Sequence, residues 1–378
     1  MPQPDCGNDY FVRSMQSSRL GYNPGDRPVV GEDYVLEAFL GAGGFGEAWS
    51  GMAPGGVRVA LKIIDLTRTD GEREFDALEK VKDIRHPNLC SVFSLWTIDD
   101  AGNVLQKQRL LTGKDAGHGR HEPKRLVIAL GLGEKCLAKR LSECGGEGIP
   151  RDELLRYMEG AAKGLDYLHK PIHPVNEAEV AIIHSDIKPH NILIVGDDAQ
   201  ICDFGLAKAV ASLQKVGSRT RTRAGSEGYM APEIRLDNRP ATPWSDQYSF
   251  AVTYFQLRTA RMPYGDGIDV TEGEIFRAWW EEGLSLGALK RAERRVVAKA
   301  TSINPLRRFA NCREFVEELR QADNNKTTVT WLVEMGARLL HREEAASAPA
   351  PGSTPVVSIS SSSGSATDSK TPSSQKEA

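Results

Sequence analysis

The sequence predicts an α+β fold with two lobes, an antiparallel strand-rich lobe followed by a mostly helical one. Two observations carry this expectation. Runs with strand character, separated by glycine and polar residues, fill the first third of the chain. From residue 151 onward, apolar residues recur at helical spacing instead. The boundary between the two lobes is therefore expected before residue 151.

The N-terminal lobe is predicted to contain strands and one main helix. Strands are expected at residues 34–40, 57–64, 89–98 and 126–130. Phe75, Leu78, Val81 and Ile84 are three residues apart, which predicts a helix over residues 70–85, ending before His86-Pro87. Residues 99–124 are polar and are expected to form a surface insertion.

The C-terminal lobe is predicted to be mainly helical. Helices are expected at residues 151–169, 244–258 and 289–300, where apolar residues follow a helical repeat. Residues 171–179 interrupt this pattern and predict a loop-like insertion.

The two ends of the chain differ from its middle. Residues 1–33 are rich in Gly, Pro, Asp and Ser, which predicts an irregular segment. Residues 321–345 could form a terminal helix. Residues 346–378 are rich in Ser, Pro and Ala with few large apolar groups, so burial cannot offset their ordering entropy and a disordered tail is expected.

Composition narrows the classes of protein. The net charge of -3 gives no basis for binding nucleic acid. Six cysteines are scattered without a Cys-x-x-Cys pair, which argues against a structural zinc site and a disulfide framework and suits a reducing cytoplasm. No window approaches the roughly 20 apolar residues of a membrane span. We therefore expect a cytoplasmic protein without a membrane span.

Polar residues that suit phosphate chemistry cluster in two strings. In His-Ser-Asp-Ile-Lys-Pro-His-Asn, residues 184–191, Asp186 and Lys188 suit a hydroxyl nucleophile and a phosphate, and Asn191 suits a metal ion. In Asp-Phe-Gly, residues 203–205, Asp203 offers a second carboxylate. A reading of these residues as caps and turn formers does not explain their combined spacing.

Three further strings stand in a fixed order around these. Residues 41–46 read Gly-Ala-Gly-Gly-Phe-Gly, which alone fits a plain hairpin as well as a nucleotide loop. Lys62 follows about sixteen residues later in Val-Ala-Leu-Lys, and Ala-Pro-Glu occupies residues 231–233. Together the strings resemble the eukaryotic-type serine/threonine protein kinase family, including its bacterial members, over residues 34–320.

The resemblance implies a two-lobed protein kinase fold, with the N-terminal lobe at residues 34–131 and the C-terminal lobe at residues 132–320. It also implies Mg²⁺-dependent transfer of the γ-phosphate of ATP. It implies that Asp186 orients or accepts the proton of the substrate hydroxyl and that Lys188 offsets phosphoryl charge. Asn191 and Asp203 would hold Mg²⁺. Lys62 would contact the α- and β-phosphates and pair with a helix glutamate, for which Glu74 is chosen over Glu72 and Glu79.

The resemblance also implies a nucleotide site. The expected contacts, with Lys62 and Asp203, are Leu40, Gly41, Gly43, Gly46, Ala48, Ala60, Leu130, Gly131, Gly133 and Leu193. Ala48 stands where the family usually has valine, and Gly131 where it usually has an acidic residue. Because Gly131 and Gly133 would contact adenine through their backbone, ATP binding is still expected.

One departure bears on regulation. Ser185 stands where most members have an arginine that receives a phosphorylated activation loop. The resemblance therefore implies a kinase of the type without this arginine, in which loop phosphorylation is not the main control, although Ser218, Thr220 and Thr222 could accept phosphate. Ser226 would instead tie Asp186 to Lys188.

The resemblance also implies two buried structural contacts and the partners of the protein. Glu233 is expected to pair with Arg308, and Asp246 to accept backbone N–H groups of the catalytic loop. The expected partners are protein substrates with serine or threonine acceptors, of which the chain itself could be one. An ATP-binding pseudokinase scaffold is the alternative. An aminoglycoside-type phosphotransferase is a weaker rival, because it would lack the Ala-Pro-Glu string.

Overall fold

A five-stranded antiparallel sheet forms the N-terminal lobe, with the strand order β1-β2-β3-β5-β4. The computed structural model describes residues 18–43, 46–67, 82–105, 123–175, 178–204, 226–264 and 283–322. All of these lie in the first of two units of the chain, Met1–Asn324. The strands are β1 (Val35–Gly43), β2 (Gly46–Ala53), β3 (Val57–Asp65), β4 (Val92–Ile98) and β5 (Arg125–Gly131).

The two faces of this sheet belong to different apolar cores. Side chains alternate between the faces of a strand. On β3, Leu61 and Ile63 therefore join an outer cluster with Val29 and Trp49. Ile64, on the opposite face, joins the large core of the helical lobe. Each face of the sheet thus contributes apolar side chains to a core.

The C-terminal lobe is mainly helical and also contains a three-stranded and a two-stranded sheet. The helices are α1 (Leu137–Ser142), α2 (Arg151–Leu168), α3 (Pro232–Arg235), α4 (Pro243–Thr259), α5 (Arg291–Ala300) and α6 (Cys312–Gln321). The strands β6 (Lys135–Cys136), β9 (Ile192–Val195) and β10 (Asp198–Ile201) form one sheet. The strands β7 (His173–Val175) and β8 (Ala178–Val180) form a hairpin.

Helix α4 is the central helix of this lobe. Thr242 caps its first turn: Ser245 N–H donates to the Thr242 hydroxyl, and the Ser245 hydroxyl accepts from the Thr242 N–H. Pro243 follows at the first helical position, where its missing N–H costs nothing. Tyr248, Val252 and most residues between them are fully buried. The helix can therefore hold residues of the catalytic loop rigidly.

The loop that precedes β4 is bonded to the helical lobe. Asn88 Nδ2 donates to Asp198 Oδ2 at 3.0 Å, and the Cys90 N–H donates to the Ile201 carbonyl at 2.8 Å. Helix α2 comes close here because residue 160 is glycine. A Cβ on Gly160 would lie 1.9 Å from Asp198 Oδ1.

The predicted fold class, two lobes with strands first and helices after, is confirmed. Three details differ. Strand β2 was expected only as the second arm of the glycine-rich turn, without bounds, because Gly46 and Gly51 mask its alternation. Residues 82–85 contain a turn and no helix, so the predicted helix over 70–85 does not reach its expected end. The loop expected at residues 171–179 contains the β7–β8 hairpin.

Other expectations fall on residues outside the described ranges. These are most of the N-lobe helix, the bulk of the 99–124 insertion, the terminal helix at 321–345 and the tail at 346–378. Residues 18–33 contain no helix or strand, in keeping with an irregular segment. They are nevertheless packed, because Val29 is buried in the outer core.

The expected pairing of Glu233 with Arg308 is confirmed as a buried, two-bonded ion pair. Arg308 Nη1 and Nη2 donate to the two carboxylate oxygens of Glu233 at 2.7 and 2.8 Å. Arg308 is only 2% exposed and also donates to the carbonyls of Trp244 and Ser302. It thereby joins α3, the start of α4 and the loop after α5.

Changing Arg308 to Ala is expected to lower the free energy of unfolding by about 3–5 kcal/mol, because the buried Glu233 carboxylate would lose its counter-charge. Urea unfolding of both proteins measures this. Arg58→Ala is the control, since Arg58 forms an exposed pair with Glu37 and its loss should cost less than about 1 kcal/mol. Equal losses in the two variants would contradict the structural role of Arg308.

Candidate active site

The catalytic loop, residues 181–191, is held from below by Asp246 of α4. Asp246 is 1% exposed and accepts the N–H groups of His184 and Ser185, each at 2.7 Å. His169 Nε2 also bonds to Asp246 Oδ2 at 2.9 Å. Ser185 has a φ of 67°, an unfavourable value for a non-glycine residue. The Asp246 contacts hold the loop in this strained conformation.

His184 braces the loop against the residue before Asp203. Its Nδ1 accepts the N–H of Asp186 at 3.3 Å, so its Nε2 carries the proton and donates to the Cys202 carbonyl at 2.9 Å. The Ser185 hydroxyl is buried and finds no hydrogen-bond partner among the described residues. The loop is therefore fixed through its backbone and His184, and Ser185 adds no side-chain bond.

Asp186, Lys188, Asn191 and Ser226 form one bonded cluster. Lys188 Nζ lies 2.9 Å from Asp186 Oδ2 and donates to the Ser226 hydroxyl at 2.7 Å. The Ser226 N–H donates to Asp186 Oδ1 at 2.8 Å. Asn191 Nδ2 donates to the Asp186 carbonyl at 2.8 Å. Residues far apart in sequence thus fix the Asp186 carboxylate from several sides.

Asp186 is held in its ionised form. Burial alone would raise the pKa of this carboxyl, but the hydrogen bond and charge of Lys188 and the bonds from Ser226 outweigh burial. The net result is a pKa below the ordinary aspartate value. At neutral pH, Asp186 is a carboxylate that can accept a hydrogen bond from a substrate hydroxyl.

Lys62 and Asp203 meet across the cleft between the lobes. Lys62 Nζ on β3 lies 2.9 Å from Asp203 Oδ2. Asp203 has a φ of 61°, which turns its side chain into the cleft at a backbone cost. The predicted partner of Lys62, Glu74, lies outside the described residues. The pair seen here brings the strand-borne cation to the C-lobe carboxylate.

The predicted adenine contacts lie on two facing surfaces. Ala48 is paired with Lys62 across β2 and β3, and Ala60 with Leu130 across β3 and β5. Residues directly opposite in an antiparallel pair share a face. These side chains therefore face the same side of the sheet, the side that carries Lys62.

The connection after β5 lies against the opposite surface. A Cβ on Gly133 would be 2.8 Å from Leu193 Cβ and 3.1 Å from the Ile194 carbonyl, so this close approach requires glycine. The Gly131 N–H is bonded to the Ser91 carbonyl at 2.9 Å. Of the two glycines predicted to contact adenine through their backbone, Gly131 therefore uses its N–H within the protein, and its carbonyl accepts the Cys90 thiol at 3.3 Å.

The glycine loop approaches β3 closely. A Cβ on Gly46 would lie 2.1 Å from the Ile63 carbonyl, which excludes any larger residue there. Gly41 and Gly43 lie on β1, and Leu40 beside them is half exposed at the mouth of the cleft. Residues 44 and 45 lie outside the described ranges.

Two cysteines beside the cleft were not among the predicted site residues. Cys90 Sγ donates to the Gly131 carbonyl at 3.3 Å, and burial raises the pKa of Cys90 to about 12. Burial also raises the pKa of Cys202, which precedes Asp203. Both are neutral thiols. His169, which bonds Asp246, was also missed, because no local pattern links it to a residue 77 positions away.

The side-chain oxygens of Asn191 and Asp203 suit the Mg²⁺ ion that the sequence implies. Asn191 donates its described hydrogen bonds from Nδ2, which leaves Oδ1 to coordinate. Asp203 uses Oδ2 for Lys62, which leaves its other oxygen. Amide and carboxylate oxygens are the ligands that Mg²⁺ prefers. The set therefore suits a hard cation held together with phosphate oxygens.

Comparison with known proteins points to one family. The family model for the protein kinase domain matches residues 34–326. The leucine-rich repeat receptor protein kinase EMS1 of Arabidopsis thaliana is 29% identical over 279 residues, which is 73% of this chain and 21% of that protein. The leucine-rich repeat receptor protein kinase MSL1 of Oryza sativa subsp. japonica is 33% identical over 241 residues, 62% of this chain and 15% of that protein.

A relative described as a proline-rich receptor-like kinase is similar to this chain to a comparable degree. The proline-rich receptor-like protein kinase PERK8 of Arabidopsis thaliana is 29% identical over 265 residues, 68% of this chain and 34% of that protein. The chain thus spans between 15% and 34% of the length of these three relatives. Among the described residues, no helix combines the length and apolar character that crossing a bilayer requires.

Proposed function

Because this chain belongs to the protein kinase family, we propose that it transfers the γ-phosphate of ATP to serine or threonine hydroxyls of proteins in a Mg²⁺-dependent reaction. The observation that carries the proposal is the Asp186 cluster, in which Lys188 joins the carboxylate to Ser226. A helix cap or turn former would not need a lysine shared between these two groups. A cation beside a hydroxyl-binding carboxylate suits phosphoryl transfer.

In this mechanism, Asp186 accepts a hydrogen bond from the substrate hydroxyl and orients its oxygen toward the γ-phosphorus. The new O–P bond forms as the bond to the leaving ADP oxygen breaks, and the hydroxyl proton passes to Asp186. Since the pKa of Asp186 is lowered, the carboxylate is a weak base that orients the hydroxyl first and takes the proton late. Lys188 lies beside it to offset the charge on the transferred group.

The other residues bind and position ATP. Lys62 would contact the α- and β-phosphates. Ala48, Ala60 and Leu193 would enclose the adenine. Mg²⁺, held by Asn191 and Asp203, would neutralise charge on the phosphates. The Lys62–Asp203 distance of 2.9 Å supports a single small site in which one group would bind phosphate and the other the metal ion. Catalysis would then rest on positioning and electrostatics.

The serine/threonine preference is supported by the string Lys188-Pro189, which resembles that of serine/threonine kinases. Protein substrates, among them the chain itself, are the proposed partners. We also place this domain in the cytoplasm, since Cys90, Cys136, Cys144, Cys202 and Cys312 are all free thiols and a reducing compartment keeps them so.

The test is an assay of the full chain with γ-labelled ATP. A basic protein mixture and the chain itself serve as acceptors, with Mg²⁺ or with excess chelator. We expect label on phosphoserine and phosphothreonine only when Mg²⁺ is present. ATP binding without transfer to any acceptor would favour the ATP-binding scaffold instead, and label on phosphotyrosine would contradict the proposed specificity.

Control by loop phosphorylation is expected to be minor, since Ser185 replaces the usual arginine. Changing Ser218, Thr220 and Thr222 together to alanine should lower the rate less than about tenfold, or 1.4 kcal/mol of barrier. Ser226→Ala should be more damaging, because its hydroxyl accepts the Lys188 bond at 2.7 Å. Steady-state rates at saturating Mg-ATP decide between them. The reverse order of effects would show that loop phosphorylation controls the enzyme.

A further inference from the structure

A segment before the first strand crosses the outer face of the N-lobe sheet. We call residues 18–30 the N-terminal strap. Leu20 and Tyr22 pack on the outer core, and Val29 is buried in it. The Tyr22 hydroxyl accepts a bond from Arg125 Nη1 on β5 at 3.0 Å. Gly25 N–H donates to the Leu36 carbonyl on β1 at 2.7 Å. The strap therefore contacts several strands of the sheet.

The first residues of the strap are bonded to one buried carboxylate, Glu47 on β2. The Ser18 hydroxyl donates to Glu47 Oε2 at 2.8 Å. The N–H groups of Arg19 and Leu20 both donate to Oε1, the second at 2.9 Å. Trp49 Nε1 donates to Oε2 at 3.3 Å. Glu47 is only 2% exposed, so these donors replace the water that the charge would otherwise bind.

A buried carboxylate of this kind is costly unless it is fully bonded. Glu47 lies on the face of β2 that carries Trp49, where an apolar residue would pack without needing donors. Three of the four donors to Glu47 come from the strap. Without the strap, Glu47 would keep only the Trp49 donor from the protein and would depend on water for the rest, so the strap and β2 stabilise each other.

The position of Glu47 connects the strap to the nucleotide site. Glu47 lies between Gly46, which ends the glycine loop and touches the β3 backbone, and Ala48, which faces the cleft opposite Lys62. Neighbouring side chains on a strand point to opposite faces. The strap therefore binds the outer-core face of the start of β2. The opposite face of the same residues would cover ATP.

From this geometry we propose that Glu47 is a positioning residue for ATP: bound to the strap, it holds the glycine-loop end of β2 in the nucleotide-binding arrangement. This proposal rests on the proposed function for the identity of the ligand. The strap is outside the matched family region, residues 34–326. It would be a part of the nucleotide site that this chain supplies from before its kinase domain.

The test uses the full chain and Mg-ATP itself. Glu47→Ala removes the acceptor, and Ser18→Asp places a second carboxylate against it. Each is expected to weaken Mg-ATP binding by about tenfold, measured by calorimetry, with a matching rise in KM and little change in kcat. In the Glu47→Ala background, Ser18→Asp should have no further effect, because the repelling partner is gone.

The control is Glu37→Ala, which removes an exposed carboxylate from β1 of the same sheet without touching the strap. It should bind Mg-ATP like the unchanged protein. If Glu47→Ala fails to fold, Ser18→Asp alone decides. Binding within about twofold of the unchanged protein in the folded variants would overturn the proposal. Absence of phosphoryl transfer in the unchanged protein would refute the proposed function but leave this binding comparison decisive.

Discussion

Changing Asp186 to Asn is expected to lower the rate of phosphoryl transfer by roughly 10²–10⁴. Asparagine has the same shape and can still accept the Ser226 N–H, which lies 2.8 Å from Oδ1. It cannot take a proton, and it presents an amide in place of the oxygen that Lys188 contacts at 2.9 Å. The loss should therefore appear in kcat, measured at saturating Mg-ATP and substrate, while Mg-ATP binding changes little.

Asp197→Asn is the matched control, because Asp197 is an exposed aspartate in the turn between β9 and β10. Its rate and thermal stability should equal those of the unchanged protein. If Asp186→Asn keeps more than about a tenth of the rate, the carboxylate neither orients nor deprotonates the hydroxyl, and the assignment of Asp186 fails.

Changing Lys62 to Met or Asp203 to Ala is expected to lower the rate by about 10²–10³ each, since each removes a charge that stabilises phosphate or metal. The two groups lie 2.9 Å apart and act on the same ligand. The double variant should therefore lose less than the product of the single losses. Steady-state rates of the four proteins complete the cycle.

Lys135→Met controls for the loss of a paired lysine, because Lys135 pairs with Glu143 at 2.9 Å on the surface of the C-lobe. It should leave the rate unchanged. Fully multiplicative losses in the double variant would show that Lys62 and Asp203 act independently. Unchanged rates in both single variants would remove the basis for the proposed catalytic site.

The two-lobed fold and the positions of the motif residues could be predicted because they depend on local strings. The fold brings together Lys62 on β3, Asp186 and Asn191 in the catalytic loop, and Asp203 just after β10. The glycine-rich and Asp-Phe-Gly strings mark these places in the sequence. The Glu233–Arg308 pair was predictable through the family resemblance, since each partner lies in a string that resembles a kinase motif.

Contacts without a local signal could not be predicted. Glu47 shows the one available sign, a charged residue at a strand position that alternation assigns to the apolar face. Which segment would bond it depends on the path of residues 18–30. Likewise His169 ends an ordinary helix, and only the packing of α2 on α4 brings it to Asp246.

The contact of Asn88 with β10 also affects how the cleft can open. The lobes are joined by the chain at residues 131–134 and again where Asn88 and Cys90 bond to Asp198 and Ile201. Two joints define an axis, so the strands of the N-terminal lobe should rotate about the line between them. Strands β1 and β2 lie at the edge of the sheet opposite β5 and β4, so these two strands would travel furthest, while the residues of the loop before β4 stay with the helices. The cleft should therefore open by rotation of the N-terminal lobe about this axis, and not by translation of one lobe away from the other.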